Sequence, residues 1–422
     1  MELCCLIALL TAGTEVQTVA LEGSPEVIGR TWGRINAEHI KADIRAGFLD
    51  LASEKGVSEH DLIERSQRFV EICSEIAPHW LVEADAIAEA AGVNAALYRA
   101  YIGSVYRNLW QGDECTSYAV RKEYTKDGAI FFHKNRDNRE KPQAACVVAS
   151  DVPGVNRFIT VSDAAVLACM MMVNDKGLAG SADMGGLPVV KPRFRGMMNT
   201  FLLRHIAERA ASCAEAEAIV RDFVTSGRYA GGGSTGTHWL FVDKTGEILE
   251  ISNNSDQVTT VRHDEKVYFS MRAETNAASI LRHATEPVDF HRFHNVSRDP
   301  SMCFESSICG MTVEIDAEHP ALLTCAWITL PAKGLAFPLL MGCRATPRPL
   351  VNGEVYALSK DIDGKTAEWE RHEEDVHKEK ELIVARAREQ IGPGDRAAAI
   401  TALEHWTVQA TARGIDLVRA YR

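Results

Sequence analysis

The chain has 422 residues, of which 46% are hydrophobic and 25% are charged. These values are typical of a folded globular chain and exclude a disordered, collagen-like or coiled-coil protein. The 58 acidic residues outnumber the 46 Lys and Arg, so the net charge is -12, which argues against nucleic acid or an anionic membrane as a partner. No apolar run reaches the roughly 18 residues that span a bilayer.

The N-terminus is apolar over Leu3–Leu10, shortly after the acidic Glu2. A secretion signal carries a basic segment ahead of its apolar stretch, so we interpret Leu3–Leu10 as a buried first strand. The 11 cysteines include no CxxC pair, which argues against zinc ribbons and favours a reducing compartment. We therefore predict a cytoplasmic protein, with secretion by an atypical signal as the open alternative.

The first hundred residues are predicted to be mostly helical. Two short strands lead to Ser24 and Pro25, which are typical of a helix cap and a first helical turn. Apolar residues then recur every three to four positions, as in Leu62, Phe69 and Ile76, which indicates helices up to about residue 110.

From Cys115 onward the pattern is typical of a sheet. A first hairpin is predicted to turn at Lys126-Asp127-Gly128, and further strands follow around one helical stretch near 197–224. After about residue 365 the chain is helical and highly charged. This order favours an α+β fold with antiparallel sheets, divided into a helical segment 1–114, a core 115–350 and a helical extension 351–422 that packs on the same domain.

Three motifs that suggest a cofactor or a metal do not meet the chemical requirements. The glycines of Gly231–Thr237 precede a strand and are not followed by the lysine of a phosphate-binding loop, so this segment is interpreted as a flexible loop. His372 and His377 fall about 140° apart on a helix and cannot share a metal ion. His291 and His294 have no third ligand at a suitable spacing. We therefore predict no metal and no cofactor.

The segment with the clearest chemical content begins at Cys115. In the predicted hairpin, the far strand returns Lys134, Arg136 and Asp137 beside Cys115. Nearby cations favour a thiolate, and a carboxylate can orient a base. Cys115 is therefore a candidate nucleophile, although a small buried hydrophobic role is the commoner one for a cysteine.

The segment CTSYAVRKEYTKDGAIFFHKNRD, which starts at Cys115, resembles the opening hairpin of cysteine N-terminal-nucleophile (Ntn) hydrolases. Among them, the chain is most similar to the acyl-coenzyme A:6-aminopenicillanate acyltransferase family, which is related to the choloylglycine hydrolases. Glu22-Gly23-Ser24-Pro25, Asn174-Asp175-Lys176-Gly177-Leu178 and Glu274-Thr275-Asn276 match further family motifs in the same order. The resemblance covers roughly residues 20–345 and implies an αββα sandwich, two antiparallel sheets between helical layers.

The resemblance also implies a precursor that cleaves itself between Glu114 and Cys115. The Cys115 thiol would attack the preceding carbonyl, and hydrolysis of the resulting thioester would release its α-amine as a general base. By position, Asp137 matches the residue that orients this amine, and Asn276 matches an amide that supports the oxyanion. The remaining candidates for positioning the thiol or the substrate are Lys134, Arg136 and Asn174.

The sequence departs from the family pattern at several of these positions. Glu114 stands where the family usually has glycine, Glu274 and Ala277 stand where histidines are common, and Asp183 lies near the place of a second oxyanion asparagine. We predict a self-processing amidohydrolase that cleaves a linear C–N amide of a small molecule.

Three alternatives stay open at this point. The first is an acyltransferase that moves an acyl group from a thioester or an amide to an amine. The second is an unprocessed, non-catalytic binding protein with the same fold. The third is a thiol hydrolase that uses His133 or His238 as its base. The charged C-terminal helices are also candidates for a homo-oligomer contact.

Overall fold

The computed structural model describes residues 16–103, 115–189, 191, 193, 195–231, 236–270, 273–391 and 394–422. The strand predicted at Leu3–Leu10 and residue Glu114 lie outside the described residues. No helix within these ranges is long and apolar enough to cross a membrane.

The N-terminal segment is helical, as its periodicity predicts. It comprises β1 (Thr18–Val19), β2 (Leu21–Gly23), α1 (Pro25–Ile35), α2 (Ala37–Ile44), a π-helical turn (Arg45–Asp50), α3 (Leu51–Glu54), α4 (Glu59–Ile76), α5 (Pro78–Ala91) and α6 (Ala95–Gly103). Ser24 caps α1, because its side chain accepts a hydrogen bond from the Val27 amide and Pro25 occupies the first turn.

Helices α1 and α5 pack with their backbones in close approach. A Cβ atom at Gly29 would lie 2.4 Å from the Glu83 carbonyl oxygen, and one at Gly33 would lie 2.5 Å from the Ile87 carbonyl oxygen. The two glycines are four residues apart and therefore lie on the same face of α1. A larger residue at either position would separate the helices.

The first large sheet has eight strands in the order β13-β12-β11-β8-β7-β6-β5-β2. Besides β2, its strands are β5 (Gln143–Ser150), β6 (Phe158–Asp163), β7 (Met171–Asn174), β8 (Ala179–Met184), β11 (Thr237–Val242), β12 (Ile248–Asn253) and β13 (Val258–Arg262). The pairs are antiparallel except for β2 with β5, which is parallel. The N-terminal segment thus adds one parallel edge strand to a sheet that is otherwise antiparallel, as predicted.

The second large sheet has six antiparallel strands in the order β14-β3-β4-β15-β16-β17. They are β3 (Cys115–Val120), β4 (Ile130–Asp137), β14 (Val267–Phe269), β15 (Ser307–Ile315), β16 (Cys325–Thr329) and β17 (Ala336–Leu340). The turn between β3 and β4 has Asp127 and Gly128 at positive φ, the conformation that Asp and Gly tolerate best.

The remaining elements are short pairings and helices. The pairings involve β9 (Met197–Met198), β10 (Tyr229–Gly231) and β18 (Thr346–Pro347). The helices are α7 (Asn199–Arg209), α8 (Cys213–Thr225), α9 (Asn276–Arg282), α10 (Phe290–Asn295), α11 (Pro320–Leu323), α12 (Arg348–Val351), α13 (Glu354–Ser359), α14 (Thr366–Ile391) and α15 (Arg396–Ala420).

Three apolar clusters show how these elements are layered. The first joins the N-terminal helices, α7 and α8 to the first sheet, as in the edge contact of Trp80 with Phe201. The second fills the space between the two sheets, with Val161 from one and Met311 from the other. The third joins the second sheet to α9, α10, α14 and α15. The fold is therefore an α+β sandwich with the layer order helices, sheet, sheet, helices, as predicted.

Candidate active site

Cys115 is the first residue of β3, and its side chain is 3% exposed. Side chains of a strand alternate between its two faces. Ala119 belongs to the cluster between the sheets, whereas Tyr118 belongs to the cluster under the helices. Cys115 and Ser117 are an even number of positions from Ala119 and therefore lie on the same face of β3 as Ala119. This face is turned toward the first sheet.

The partner strand β4 places two cations beside this thiol. Cys115 pairs with Arg136, and Ser117 pairs with Lys134. Both cations lie on the same face of β4 as Phe132, which is buried between the sheets. The structure therefore brings Cys115, Lys134 and Arg136 together on one buried face.

The Lys134 ammonium is fully coordinated by acceptors. Its Nζ donates to the carbonyl oxygens of Met170 at 3.0 Å and Ala182 at 2.7 Å, and lies 2.9 Å from Asp183 Oδ1. Burial disfavours its charge, but Asp183 and the Cys115 thiol outweigh burial and raise the pKa of Lys134. An ammonium has three hydrogens to donate, so this lysine can act on the thiol through its charge and does not offer a free hydrogen to an acidic substrate.

Asp183 is the counter-ion at the centre of this arrangement. Its Oδ2 accepts hydrogen bonds from Ser117 Oγ at 2.8 Å and Ser270 Oγ at 2.9 Å, and its Oδ1 faces Lys134. An ionised carboxylate has no hydrogen to donate. Asp183 therefore stabilises the buried lysine and cannot replace an oxyanion asparagine.

Arg136 is held from the other side by β5 and β6. Its guanidinium donates to Asp163 Oδ1 at 2.6 Å and to Gln143 Oε1 at 3.2 Å. Lys141 lies 2.9 Å from the second oxygen of Asp163. The pairing with Asp163 fixes the direction of the Arg136 guanidinium. The sequence did not point to Asp163, because this residue lies on a strand that is distant along the chain.

A cavity of about 20 Å³ adjoins the thiol. Its described lining consists of Cys115, Lys134 and Arg136 from the hairpin, Met170, Ala182 and Met184 from the first sheet, and Asn199 and Thr200 from the start of α7. The cavity is enclosed by both sheets and one helix end. Sequence reasoning had not included α7, since nothing in its local pattern points to chemistry.

Asp137 follows Arg136 on β4 and lies one position past the residue that pairs with Cys115. Its parity turns it toward the helices, where its Oδ1 accepts a hydrogen bond from Ser307 Oγ. Because the Asp137 side chain lies on the face opposite the thiol, it does not adjoin Cys115 Sγ, and its predicted contact with the Cys115 α-amine stays a prediction.

Two predicted residues are not brought to the cavity. Asn276 is exposed in the first turn of α9. Asn174 is the buried last residue of β7, and its side chain has hydrogen-bond partners at both ends. Its amide donates to the Ala207 and Ala210 carbonyls at 3.0 and 2.7 Å, and its oxygen accepts from the Lys176 and Leu178 amides, each at 3.1 Å. Asn174 therefore stabilises a turn and the end of α7.

The two histidines considered as alternative bases have other partners. His133 lies on the helix-facing side of β4, bonded to Thr312 at 2.7 Å and to Asn135 at 2.9 Å, and burial together with His294 lowers its pKa to about 3. Because its parity is opposite to that of Lys134, it cannot reach the thiol. His238 Nε2 lies 3.0 Å from Glu250 Oε1, so this nitrogen is already engaged.

The described residues offer two clusters with the geometry of a metal site. One, His60 with Asp61 and Glu64, is on the surface of α4. In the other, Glu314 with His377 and Glu381, the ammonium of Lys380 lies 2.9 Å from Glu314 and 2.6 Å from Glu381. The lysine already supplies the positive charge there.

One comparison with known proteins agrees with the resemblance seen in the sequence. The family model described as Acyl-coenzyme A:6-aminopenicillanic acid acyl-transferase matches residues 124–289. This range contains Lys134, Asp137 and Asn276 and begins after Cys115. A comparison with curated proteins gave no match.

Several solved structures are similar to parts of the chain. A variant of conjugated bile acid hydrolase from Clostridium perfringens has 10% identity and a TM-score of 0.36, over 54% of this chain and 92% of that one. Penicillin V acylase from Agrobacterium tumefaciens has 13% identity and a TM-score of 0.38, over 54% and 86%. A Caenorhabditis elegans ortholog of N-acylethanolamine-hydrolyzing acid amidase has 11% identity and a TM-score of 0.35, over 47% and 92%.

The family match covers residues 124–289, which is less than half of the chain. Over that range it confirms the resemblance to the acyl-coenzyme A:6-aminopenicillanate acyltransferase family seen in the sequence. The two sheets between helical layers agree with the fold that this resemblance implies.

Proposed function

We propose that the protein is a self-processing cysteine amidohydrolase with Cys115 as its nucleophile and a small-molecule amide as its substrate. One observation carries the proposal. The Cys115 thiol opens a strand, adjoins a cavity and shares a buried face with the two cations Lys134 and Arg136. Neighbouring cations favour the thiolate form of a cysteine, which is its nucleophilic form.

The first step under this proposal is cleavage of the chain. Cys115 Sγ bonds to the carbonyl carbon of Glu114 while the peptide C–N bond breaks, which leaves a thioester and a free α-amine. Water then hydrolyses the thioester, and residues 1–114 and 115–422 become separate chains. An α-amine titrates at about 7.7–8.0 in the absence of perturbation, close to the pH at which a general base is effective.

In the turnover step, the amine takes the thiol proton while Sγ bonds to the substrate carbonyl carbon. The proton passes to the leaving amine, the C–N bond breaks and an acyl-enzyme remains. Water resolves it in a hydrolase, whereas a second amine would resolve it in an acyltransferase. Asp137 directly follows Arg136, the residue of β4 that pairs with Cys115, and this proximity supports a role in orienting the α-amine.

The test is the intact mass of the purified protein beside two variants. We expect the wild type to separate into the masses of residues 1–114 and 115–422, and Cys115→Ala to stay whole. Cys325→Ala is the matched control, because Cys325 is also a buried first residue of a strand, β16. It is expected to cleave like the wild type.

A single uncleaved chain in all three samples would refute self-processing. The thiol would then have no adjacent α-amine, and the non-catalytic binding protein would be the favoured function. Cleavage that persists in Cys115→Ala would refute Cys115 as the nucleophile.

A further inference from the structure

A third cation lies behind the Arg136 guanidinium. Lys141 belongs to the short loop between β4 and β5, and its Nζ lies 2.9 Å from Asp163 Oδ2, with 11% of its side chain exposed. The other oxygen, Oδ1, accepts hydrogen bonds from Arg136 at 2.6 Å and from Gln143 Nε2 at 2.9 Å. The two oxygens of one buried carboxylate are therefore divided between two cations.

The second ion pair of the site is arranged differently. Within the described part of the chain, Asp183 faces one cation, Lys134, and its other contacts are two serine hydroxyls. Each carboxylate has a single negative charge, and opposite charges favour each other's charged forms. Asp163 divides that charge between two partners and therefore neutralises Arg136 less completely than Asp183 neutralises Lys134.

Arg136 is the cation that this sharing affects, and it lies between two thiols. It pairs with Cys115 on β3 and with Cys309 on β15. Burial raises the pKa of the Cys309 thiol to about 12, although Arg136, Lys134 and Lys141 act the other way. The charge of Lys141 thus acts on a thiol next to Arg136, and Cys309 itself stays a neutral thiol.

The other charged groups of this region lie farther from the thiol. Asp137 is turned toward the helices, and Glu140 is exposed and bonded to a surface lysine. His39 and Asp43 of α2 line, together with Lys141, a separate cavity of about 200 Å³. The described lining of the cavity beside the thiol contains none of these residues. The connection from Lys141 to the thiol therefore runs through Asp163 and Arg136.

We infer that Lys141 is a positioning residue for the proposed reaction, because it holds the outer oxygen of Asp163 and leaves more of the Arg136 charge to the Cys115 thiolate. When the thiolate forms, the S–H bond breaks, the proton passes to the base and the electron pair stays on Sγ. Neighbouring positive charge stabilises that anion. This inference rests on the proposed function, in which Cys115 is the nucleophile.

The experiment is a titration of Cys115 without any substrate. A thiolate absorbs ultraviolet light that a thiol does not, and subtracting the spectrum of Cys115→Ala isolates the signal of Cys115. For Lys141→Met we expect the titration midpoint to rise by about 0.5–1 pH unit, less than the roughly 1–3 units of a charge in direct contact. Lys141→Arg keeps the charge and is expected to titrate like the wild type.

A second substitution distinguishes an effect of charge from an effect on the structure. Asp163→Asn keeps an acceptor oxygen for Arg136 but removes the negative charge, so it should lower the midpoint. Lys141→Met combined with Asp163→Asn removes one cation and one carboxylate. We expect this double variant to titrate close to the wild type, because a local distortion would not be reversed by a further substitution.

Lys378→Met is the matched control. Lys378 lies on α14 and pairs with Glu374 at 3.1 Å on the surface, so the substitution removes the same charge and the same kind of ion pair away from the site. We expect the midpoint of Cys115 to stay at its wild-type value.

The outcomes separate this inference from the proposed function, which the intact mass decides. If the wild type stays whole, the proposed function fails and Lys141 has no reaction to serve. If the wild type is cleaved and Lys141→Met titrates like it, the role of Lys141 alone is overturned. A raised midpoint that Asp163→Asn does not lower again also overturns it, because Lys141 would then act through the structure rather than through its charge.

Discussion

The two faces of the β3–β4 hairpin carry similar polar residues but direct them differently. On the face between the sheets, Lys134 and Arg136 surround the Cys115 thiol and its cavity. On the helix-facing side, His133 and Asn135 bond to each other. Neighbouring residues of one strand thus contribute either to a reactive site or to a structural network, depending only on the face of the strand on which they lie.

The helix-facing network is closed by contacts with the outer helices. Asn135 Nδ2 donates to the Ser297 carbonyl at 2.7 Å, and His294 Nδ1 lies 2.7 Å from Thr312 Oγ1, which His133 also contacts. These contacts attach the sheet to the segment that follows β14. A polar group whose partners are all protein groups stabilises the fold but has nothing left to offer a ligand.

The face between the sheets differs because its charges converge on one small space. Lys134 and Arg136 each have a buried carboxylate partner, Asp183 and Asp163. Each ion pair is anchored on the first sheet and directs its cation toward the thiol. The comparison teaches that the first sheet supplies the electrostatics of the site, whereas the hairpin supplies the nucleophile.

The largest expected effect comes from removing Lys134. Lys134→Met leaves the Asp183 charge buried without its cation, and the loss of one member of a buried ion pair costs about 3–5 kcal/mol. We expect urea denaturation to show a fall in the free energy of unfolding of that size. Adding Asp183→Leu should recover part of it, because the unpaired charge is then gone.

Lys126→Met is the control for this prediction, since Lys126 is exposed in the hairpin turn. We expect it to change the free energy of unfolding by less than about 0.5 kcal/mol. If Lys134→Met behaved like Lys126→Met, the pair with Asp183 would contribute nothing, and the contrast between the two faces would lose its electrostatic basis.

An intermediate effect is expected from the pH dependence of His133. Burial, His294 and Arg298 hold its folded pKa at about 3, although hydrogen bonding to Asn135 acts the other way. The unfolded value is near 6.5. Between these pH values the unfolded chain takes up a proton that the folded one does not, so stability falls as pH decreases below 6.5, by up to about 1.4 kcal/mol per pH unit.

We expect His133→Gln to lose this part of the slope between pH 6.5 and pH 4. The measurement is the free energy of unfolding by urea at several pH values, relative to the wild type. His60→Gln, which alters an exposed histidine on α4, should leave the slope unchanged. Equal slopes for wild type and His133→Gln would mean that the helix-facing network does not hold this histidine neutral.

The smallest effect is expected for Thr116→Val. Thr116 lies on β3 with its hydroxyl buried and unpartnered among the described residues, on the opposite face from the thiol. Replacing an unpartnered buried hydroxyl with a methyl group removes its desolvation cost. We expect the melting temperature to stay the same or rise by a few degrees. A marked fall would indicate a hydrogen bond on this face that differs from the arrangement described here.

Much of the fold could be predicted from the sequence. The hairpin at Lys126-Asp127-Gly128, the cap at Ser24 and the α+β order follow from short-range patterns, because turns, caps and amphipathic periods are local properties. The parallel pairing of β2 with β5 could not be predicted in this way. It joins residues more than a hundred positions apart, and neither strand's own pattern specifies its neighbour.

The candidate site shows the same division. Lys134 and Arg136 were found because hairpin register is local and the residues lie on adjacent strands. The positions of Asn174 and Asn276 were inferred from motif order, which gives sequence neighbourhood but not the direction of a side chain. The side chain of Asn174 makes its hydrogen bonds at a turn, and Asn276 is exposed on α9.

The sequence by itself determined that Cys115 begins a strand whose partner returns two cations on the same face, since alternation and turn length set that register. Only the tertiary structure decided what lies opposite. The carboxylates of Asp183 and Asp163, which pair with Lys134 and Arg136, come from strands of the first sheet. They are brought to the hairpin because two sheets pack face to face, an arrangement specified by the whole apolar core rather than by any one segment.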